Sequence, residues 1–240
     1  MISRRLLLRR FNHHIHYFRD VAAYGRVYGI TAEKSSYVPF KPNLKLVEEL
    51  PPDGNGKYIL CFGQSMRDFD LFFNVMEQLG YPAAIPEPDF VLLRKNGSQF
   101  TRPLNKLPAN VSVLHDDKRG DAQKQMIRDA RLVVLPILKT SMVASGIGTS
   151  LNSMLAGKCV IGTEGPGMSD IFGEEMLFAP ASNPEKLAQV IRRAWEDDEL
   201  RQRTAAAGQR LAKSLGGEKE LYQRIVDAVV EWFHSPAKGL

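Results

Sequence analysis

Two short stretches of this sequence hold residue types suited to binding an anion. The first is Gly63-Gln64-Ser65-Met66-Arg67-Asp68, which follows the apolar run Lys57–Phe62. Gly63 permits close approach of the backbone to a ligand, and the Arg67 guanidinium offers charged donors. The second is Ser145-Gly146-Ile147-Gly148-Thr149-Ser150. Its two glycines let the chain bend toward a ligand. Thr149 and Ser150 stand where hydroxyls and the unbonded N–H groups of a helix start converge on negative charge, aided by the helix dipole. Each stretch also has a plain reading. The first is then an ordinary turn with a solvated arginine, the second a Ser/Thr cap on a flexible loop.

Other reactive side chains form weaker patterns. His13, His14 and His16 are close in sequence, but neither strand nor helix spacing gives them a convincing third metal ligand. Asp116-Asp117 and Glu174-Glu175 read as solvated turns. No Ser–His–Asp or Cys–His arrangement stands out. Cys61 and Cys159 each lie inside an apolar run, which predicts buried free thiols.

The two stretches need elements to position them, and the hydropathy pattern supplies these. Apolar runs at Lys57–Phe62, Val111–Leu114, Leu132–Leu135 and Cys159–Thr163 predict strands, with a further one at Met176–Phe178. Between them, Asp68–Leu79, Asp121–Ala130 and Thr149–Ala156 predict helices. Residues 81–110 are rich in Pro, Asn and Gly and give no clear pattern. From Asn183, a good N-cap followed by Pro184, the chain reads as three helices: one with the apolar face Leu187, Val190, Ile191 and Trp195, then 198–213 and 218–233. Strands alternating with helices predict an α/β fold, a Rossmann-like parallel sheet with helices on both faces and a helical C-terminal tail. In such a sheet ligands bind beyond the carboxyl ends of the strands, where both stretches fall.

Length and composition fit one large domain. The chain has 240 residues, 44% of them hydrophobic, and a net charge of +5 from 32 basic and 27 acidic residues. Arg4, Arg5, Arg9 and Arg10 account for most of that excess, so a nucleic-acid footprint is not expected. No apolar run reaches the roughly 18–20 residues that span a bilayer. The leucine run near the start is too short for a signal-peptide core. Cytoplasmic residence is the expectation.

From Tyr58 onward the chain resembles the C-terminal, donor-binding domain of retaining GT-B glycosyltransferases, of the group 1 or family 4-like type. The stretch Gly146–Val160, GIGTSLNSMLAGKCV, looks like that family's helix and following strand. Leu132–Pro136 resembles the strand before the loop. Gly165–Phe172 with Phe178-Ala179-Pro180, and then Asn183–Leu211, resemble the segments that follow. The resemblance implies transfer of a sugar from a nucleotide diphosphate sugar, with that substrate in place of any cofactor and with no metal. It implies donor contacts by Gly63, Arg67, Gly148, Thr149 and Ser150. Arg67 would meet the diphosphate, Val113–Asp116 would hold the base, and Lys139 is a weaker candidate near the sugar phosphate. The family's ribose-binding glutamate falls on Asn152, a donor-binding candidate whose amide can still hydrogen-bond a ribose hydroxyl, and its sugar-binding glutamate on Ala144. Both carboxylates are absent, so a non-catalytic nucleotide-binding or scaffold remnant is the alternative to a transferase.

His13–Phe18, Val21–Gly29 and Tyr37–Asn43 resemble the family's crossover into the donor domain, with most of the acceptor domain missing. The expected division is 1–45 crossover segment, 46–215 nucleotide-sugar-binding domain, and 216–240 C-terminal helix. The chain is then expected to be a subunit completed by another polypeptide, a binding remnant, or a piece of a longer reading frame. For residues 1–20 two conformations compete. Leu7, Phe11, Ile15, Phe18 and Ala22 share one helical stripe, whereas the resemblance makes His13–Phe18 a strand orphaned from its sheet. Either leaves groups to be covered by a partner chain, a second copy in a homo-oligomer, the inner face of a membrane, or the donor domain itself.

Overall fold

The computed structural model describes residues 4–44, 56–116, 120–142 and 144–235. The boundary expected at residue 45, and Asp117, lie outside the described residues. The elements in chain order are α1 (Arg4–Arg9), β1 (His14–His16), α2 (Ala22–Tyr28), β2 (Ser35–Tyr37), β3 (Tyr58–Leu60), α3 (Phe69–Leu79), β4 (Ala83–Pro86), α4 (Phe90–Lys95), β5 (Val111–Leu114), α5 (Asp121–Asp129), β6 (Ala130–Leu135), α6 (Ile147–Leu155), β7 (Cys159–Thr163), β8 (Leu177–Ala179), α7 (Pro184–Glu196), α8 (Asp198–Ser214) and α9 (Glu218–His234).

Strands β3 to β8 form one parallel sheet in the order β5-β4-β3-β6-β7-β8. Numbered along the chain, that is the doubly wound 3-2-1-4-5-6 order, whose switch point lies between β3 and β6. The sheet is buried on both faces, which is why its strands read as apolar runs rather than alternating ones. Alternation returns in where the side chains go. Ile59, Cys61, Leu132, Val134 and Ile161 join one core with α3 and α7. Leu60, Phe62, Val133, Leu135 and Val160 join the other with α5 and α6. Each such side chain removed from water contributes about 1.5–3 kcal/mol. The central strands therefore hold the loops at their carboxyl ends on a rigid base.

Local signals set the helix ends. Asp68 caps α3 by accepting the Leu71 N–H at 2.9 Å, and Gly80 ends it in the left-handed conformation. Asn183 caps α7 by accepting the Lys186 N–H at 3.0 Å. Within residues 81–110 the structure has β4 and α4. Four and six residues are too few to establish a hydrophobic period.

The N-terminal segment is neither one long helix nor an orphan strand. Helix α1 ends at Arg9, and β1 pairs in parallel with β2. The segment also lies back on the main domain. Phe18 and Val21 enter the second core. One oxygen of Asp170 accepts the backbone N–H groups of Arg19 and Asp20, at 2.8 and 2.9 Å. His13 stacks on Trp232 of α9 with ring centroids 5.3 Å apart. Both cysteines are free and buried, and burial pushes each thiol up to about 12.

Candidate functional site

The loop after β3 folds around a buried arginine. Met66 holds a left-handed φ of 54°, an unusual conformation for a non-glycine residue. It is pinned from two sides: its N–H donates to Asn96 O at 3.1 Å, and its carbonyl accepts from Leu138 N–H at 2.9 Å. The Arg67 N–H donates to Ser98 Oγ at 2.9 Å. This fixed backbone turns the Arg67 side chain back beneath its own loop, where it is only 1% exposed.

The guanidinium is held by oxygens rather than by acids. Nε donates to Phe62 O at 2.9 Å, Nη1 to Ser65 O at 3.0 Å, and Nη2 to Thr149 Oγ1 at 3.2 Å. That engages three of its five N–H groups. Among the described residues no carboxylate pairs with it. Burial lowers its pKa to about 10, so it stays charged at neutral pH. A buried cation without a counter-ion is costly unless a ligand supplies the negative charge.

The bond to Thr149 ties this charge to the start of α6. The first intrahelical bond there is Ser150 N–H to Gly146 O, at 2.8 Å. The N–H groups of Ile147, Gly148 and Thr149 precede it and have no helical acceptor. Gly146, with φ 102°, lets the chain turn into the helix. Because Thr149 Oγ1 accepts from Arg67, its own hydroxyl hydrogen is left to donate outward.

A cleft of about 520 Å³ opens on one side of this helix start. Gly63, Gln64, Ser65, Glu87, Asp116 and Thr149 are among its walls. A second cleft, of about 430 Å³, opens where Gly146 and Gly148 meet the N-terminal segment. It is walled there by His16, Tyr17, Phe40 and Ala144. The start of α6 thus stands between two clefts at the carboxyl ends of the sheet.

The structure brings Gly63, Arg67, Gly148 and Thr149 together, and sets three other expected residues apart. Ser150 is fully buried, with its hydroxyl on Met168 Sδ at 3.9 Å and its N–H inside the helix. It offers neither group to a cleft. Lys139 is exposed on the turn after β6 and walls neither cleft. Asn152 Oδ1 accepts the backbone N–H groups of Asn43 and Leu44, at 2.8 and 2.9 Å, and so anchors the N-terminal segment to α6. Of the loop Val113–Asp116, Asp116 reaches the first cleft, while His115 Nδ1 lies 3.4 Å from Glu87. Sequence reasoning missed Glu87 as a wall, because β4, which it follows, was not legible. Among the described residues no group of three His, Cys, Asp or Glu side chains is placed to hold a metal ion.

Known proteins give the site a context. Residues 104–211 match the model of the family described as Glycosyl transferases group 1. No curated protein sequence matches the chain. HepE from Anabaena, solved in complex with UDP and glucose, superposes with a TM-score of 0.71 at 16% identity, over 94% of this chain and 64% of HepE. Sucrose-phosphate synthase from Thermosynechococcus elongatus superposes with a TM-score of 0.68 at 15% identity, over 97% of this chain and 61% of the synthase. WaaG, a glycosyltransferase involved in lipopolysaccharide biosynthesis, gives 0.61 at 16% identity, over 92% and 62%. The chain therefore spans somewhat under two thirds of the length of these structures. Among the described residues no helix is long and apolar enough to cross a membrane. Over residues 104–211 the chain matches the glycosyltransferase group 1 family, and its parallel sheet is the Rossmann-like fold that these structures share.

Proposed function

We infer that this chain binds a nucleoside diphosphate sugar at the start of α6 and acts as the donor half of a GT-B glycosyltransferase. One observation carries the reading: the buried Arg67 has no carboxylate partner among the described residues and is joined through Thr149 to a helix N-terminus at the sheet's switch point. The first cleft has the size of a small-ligand site and takes the nucleoside. The diphosphate crosses the free N–H groups of α6, and the sugar enters the second cleft beside Gly148 and Ala144. HepE is solved with UDP and with UDP-glucose, which supports a ligand of this class.

In this arrangement the donor C–O bond breaks as negative charge gathers on the departing diphosphate. The Thr149 hydroxyl, polarised by Arg67, and the α6 dipole offset that charge without reorganising. No residue of the site needs a metal or cofactor for this role. The acceptor side comes from a further polypeptide, either a separate subunit or another part of a longer chain. Cytoplasmic residence accords with a donor of this kind.

A second reading is favoured by Ala144 and Asn152. The methyl of Ala144 cannot accept a sugar hydroxyl, and both described bonds of Asn152 Oδ1 go to the backbone at 43 and 44. On that reading the site binds a nucleotide and catalyses nothing. Titration calorimetry with uridine, guanosine, adenosine and cytidine diphosphates tests both. Binding of one diphosphate that Arg67→Ala and Thr149→Val each weaken is expected. The site is misassigned if none binds at millimolar concentration, or if both variants bind as the parent does. Transfer activity restored by a partner chain decides between the two readings.

A further inference from the structure

Among the described residues, helices α1 and α9 each present an exposed apolar face outside the clefts, and their charges differ. On α9, Tyr222, Val226, Val229 and Phe233 face solvent, and the helix holds four acids, Glu218, Glu220, Asp227 and Glu231, against two basic residues, Lys219 and Arg224. On α1 and the turn after it, Leu6, Leu7 and Phe11 are 57%, 52% and 52% exposed. Here the charge along the segment is nearly all of one sign. Residues 4–30 hold six arginines, Arg4, Arg5, Arg9, Arg10, Arg19 and Arg26, against the single acid Asp20. Arg9, Arg10 and Arg26 are exposed, and α2, which carries Arg26, packs against α1.

We propose that α1, with the adjoining face of α2, is a docking surface for an anionic lipid bilayer. The chemistry is that of a helix lying in the interface. Leu6, Leu7 and Phe11 enter the boundary between headgroups and acyl chains, and the arginines around them pair with lipid phosphates. Charge decides the occupant. A bilayer with anionic headgroups is attracted to each arginine as well as to the apolar side chains, and within residues 4–30 only Asp20 offsets that charge. The excess of acids on α9 sets that face away from the same surface. The fold supports the docking, because Phe18 and Val21 anchor the segment in the core and Asp170 holds its backbone at Arg19 and Asp20. The surface is therefore a fixed part of the domain rather than a tether. The inference stands independently of the nucleotide-sugar reading, since it uses none of the cleft residues.

Vesicle flotation tests it, with phosphatidylcholine alone and with phosphatidylcholine mixed with phosphatidylglycerol. The full chain should float with the mixed vesicles and not with the neutral ones. The bound fraction should fall steeply with added salt, as exposed charges are screened. Replacing Arg10 and Arg26 by glutamine should weaken the partition coefficient by about fivefold each, and Leu7→Asn with Phe11→Asn should weaken it further. Because these side chains are exposed, the variants should keep the parent's thermal midpoint, which confirms that they fold. Equal flotation with both vesicle types, no flotation at all, or variants that float as the parent does would each overturn the proposal. So would binding to RNA in preference to the mixed vesicles.

Discussion

Arg67 lies so close to the Cα of Gly63 that a methyl group at residue 63 would stand 2.5 Å from Nη2. Gly63 also holds a φ of 106°, which a side chain rarely adopts. The loop closes over the guanidinium only because this position lacks a Cβ. Gly63→Ala should therefore cost about 1–3 kcal/mol of stability and should displace Arg67 from Phe62 O and Thr149 Oγ1. Denaturant unfolding with calorimetry checks both effects. A variant as stable as the parent, binding the same nucleotide equally well, would show that the loop has another way to close.

The link from Arg67 to Thr149 gives a sharper test of the site. If the Thr149 hydroxyl passes the Arg67 charge to a phosphate, Thr149→Val should remove it with little change in volume. A hydrogen bond to a charged group is worth about 1.5–3 kcal/mol, so affinity for the diphosphate should fall by roughly ten- to a hundredfold. Thr149→Ser keeps the hydroxyl and should restore most of the binding. Equal affinity in the valine and serine variants would remove the hydroxyl from the mechanism and leave only the helix backbone.

These features separate what the sequence shows from what it hides. The central strands were legible because burial on both faces makes them continuous apolar runs, as in Leu132–Leu135. Helix α3 was legible from its spacing and from its ends at Asp68 and Gly80. The short β4 and α4 were not, because a period needs more turns than they have. The positions of Gly63, Arg67 and Thr149 could be nominated from residue type and place. Their relation could not, because Arg67 turns inward only through the left-handed Met66 and two loops that pin it. Ser150 and Thr149 look alike in sequence, yet one step around the helix puts Ser150 in the core. The pairing of β1 with β2 is non-local, and the stripe of apolar residues at 7, 11, 15 and 18 suggested a helix that tertiary pairing overrides.

Asn152 shows the same effect on a single side chain. Its Oδ1 takes two backbone N–H groups from residues 43 and 44, so Asn152→Ala should leave both without that acceptor. Each buried donor left unsatisfied costs about 1–3 kcal/mol, reduced here because Asn43 is exposed. The expected outcome is a loss of about 1–2 kcal/mol in denaturant unfolding, with Asn152→Asp close to the parent. Limited proteolysis of the N-terminal segment should accelerate in the alanine variant. No change in either measurement would mean that the segment is held by Phe18, Val21 and Asp170 alone.

The chain alone should bind a nucleotide yet transfer sugar very slowly. It provides one Rossmann-like half, and it spans 64% of HepE and 61% of the synthase. Holding donor and acceptor in reacting geometry supplies a large part of an enzyme's rate. Radiolabelled donor incubated with the chain and a panel of acceptors should give trace hydrolysis and no enzyme-like turnover. Robust transfer by the chain alone would show that the described half positions an acceptor unaided.

The last prediction concerns pH and the junction of the N-terminal segment with α9. His13 donates to or accepts from Ser36 Oγ through Nε2 at 2.8 Å and stacks on Trp232. His16 is buried among Phe18 and Tyr24. Nδ1 of His13 and Nε2 of His16 are buried without a hydrogen-bond partner among the described residues. Burial first, and then repulsion from neighbouring histidines, holds both pKa values below the usual histidine range. The unfolded chain therefore binds protons more readily than the folded one. Stability from these residues is fully present above the unfolded value of about 6.5, and is lost as pH falls from there through the lower folded values. The thermal midpoint should be level from about pH 7 to 8 and should decline below about pH 6.5. His16→Phe, which keeps the aromatic contacts and removes one titrating group, should flatten that decline. A midpoint as steep in the variant as in the parent would assign the acid sensitivity to the carboxylates elsewhere in the fold.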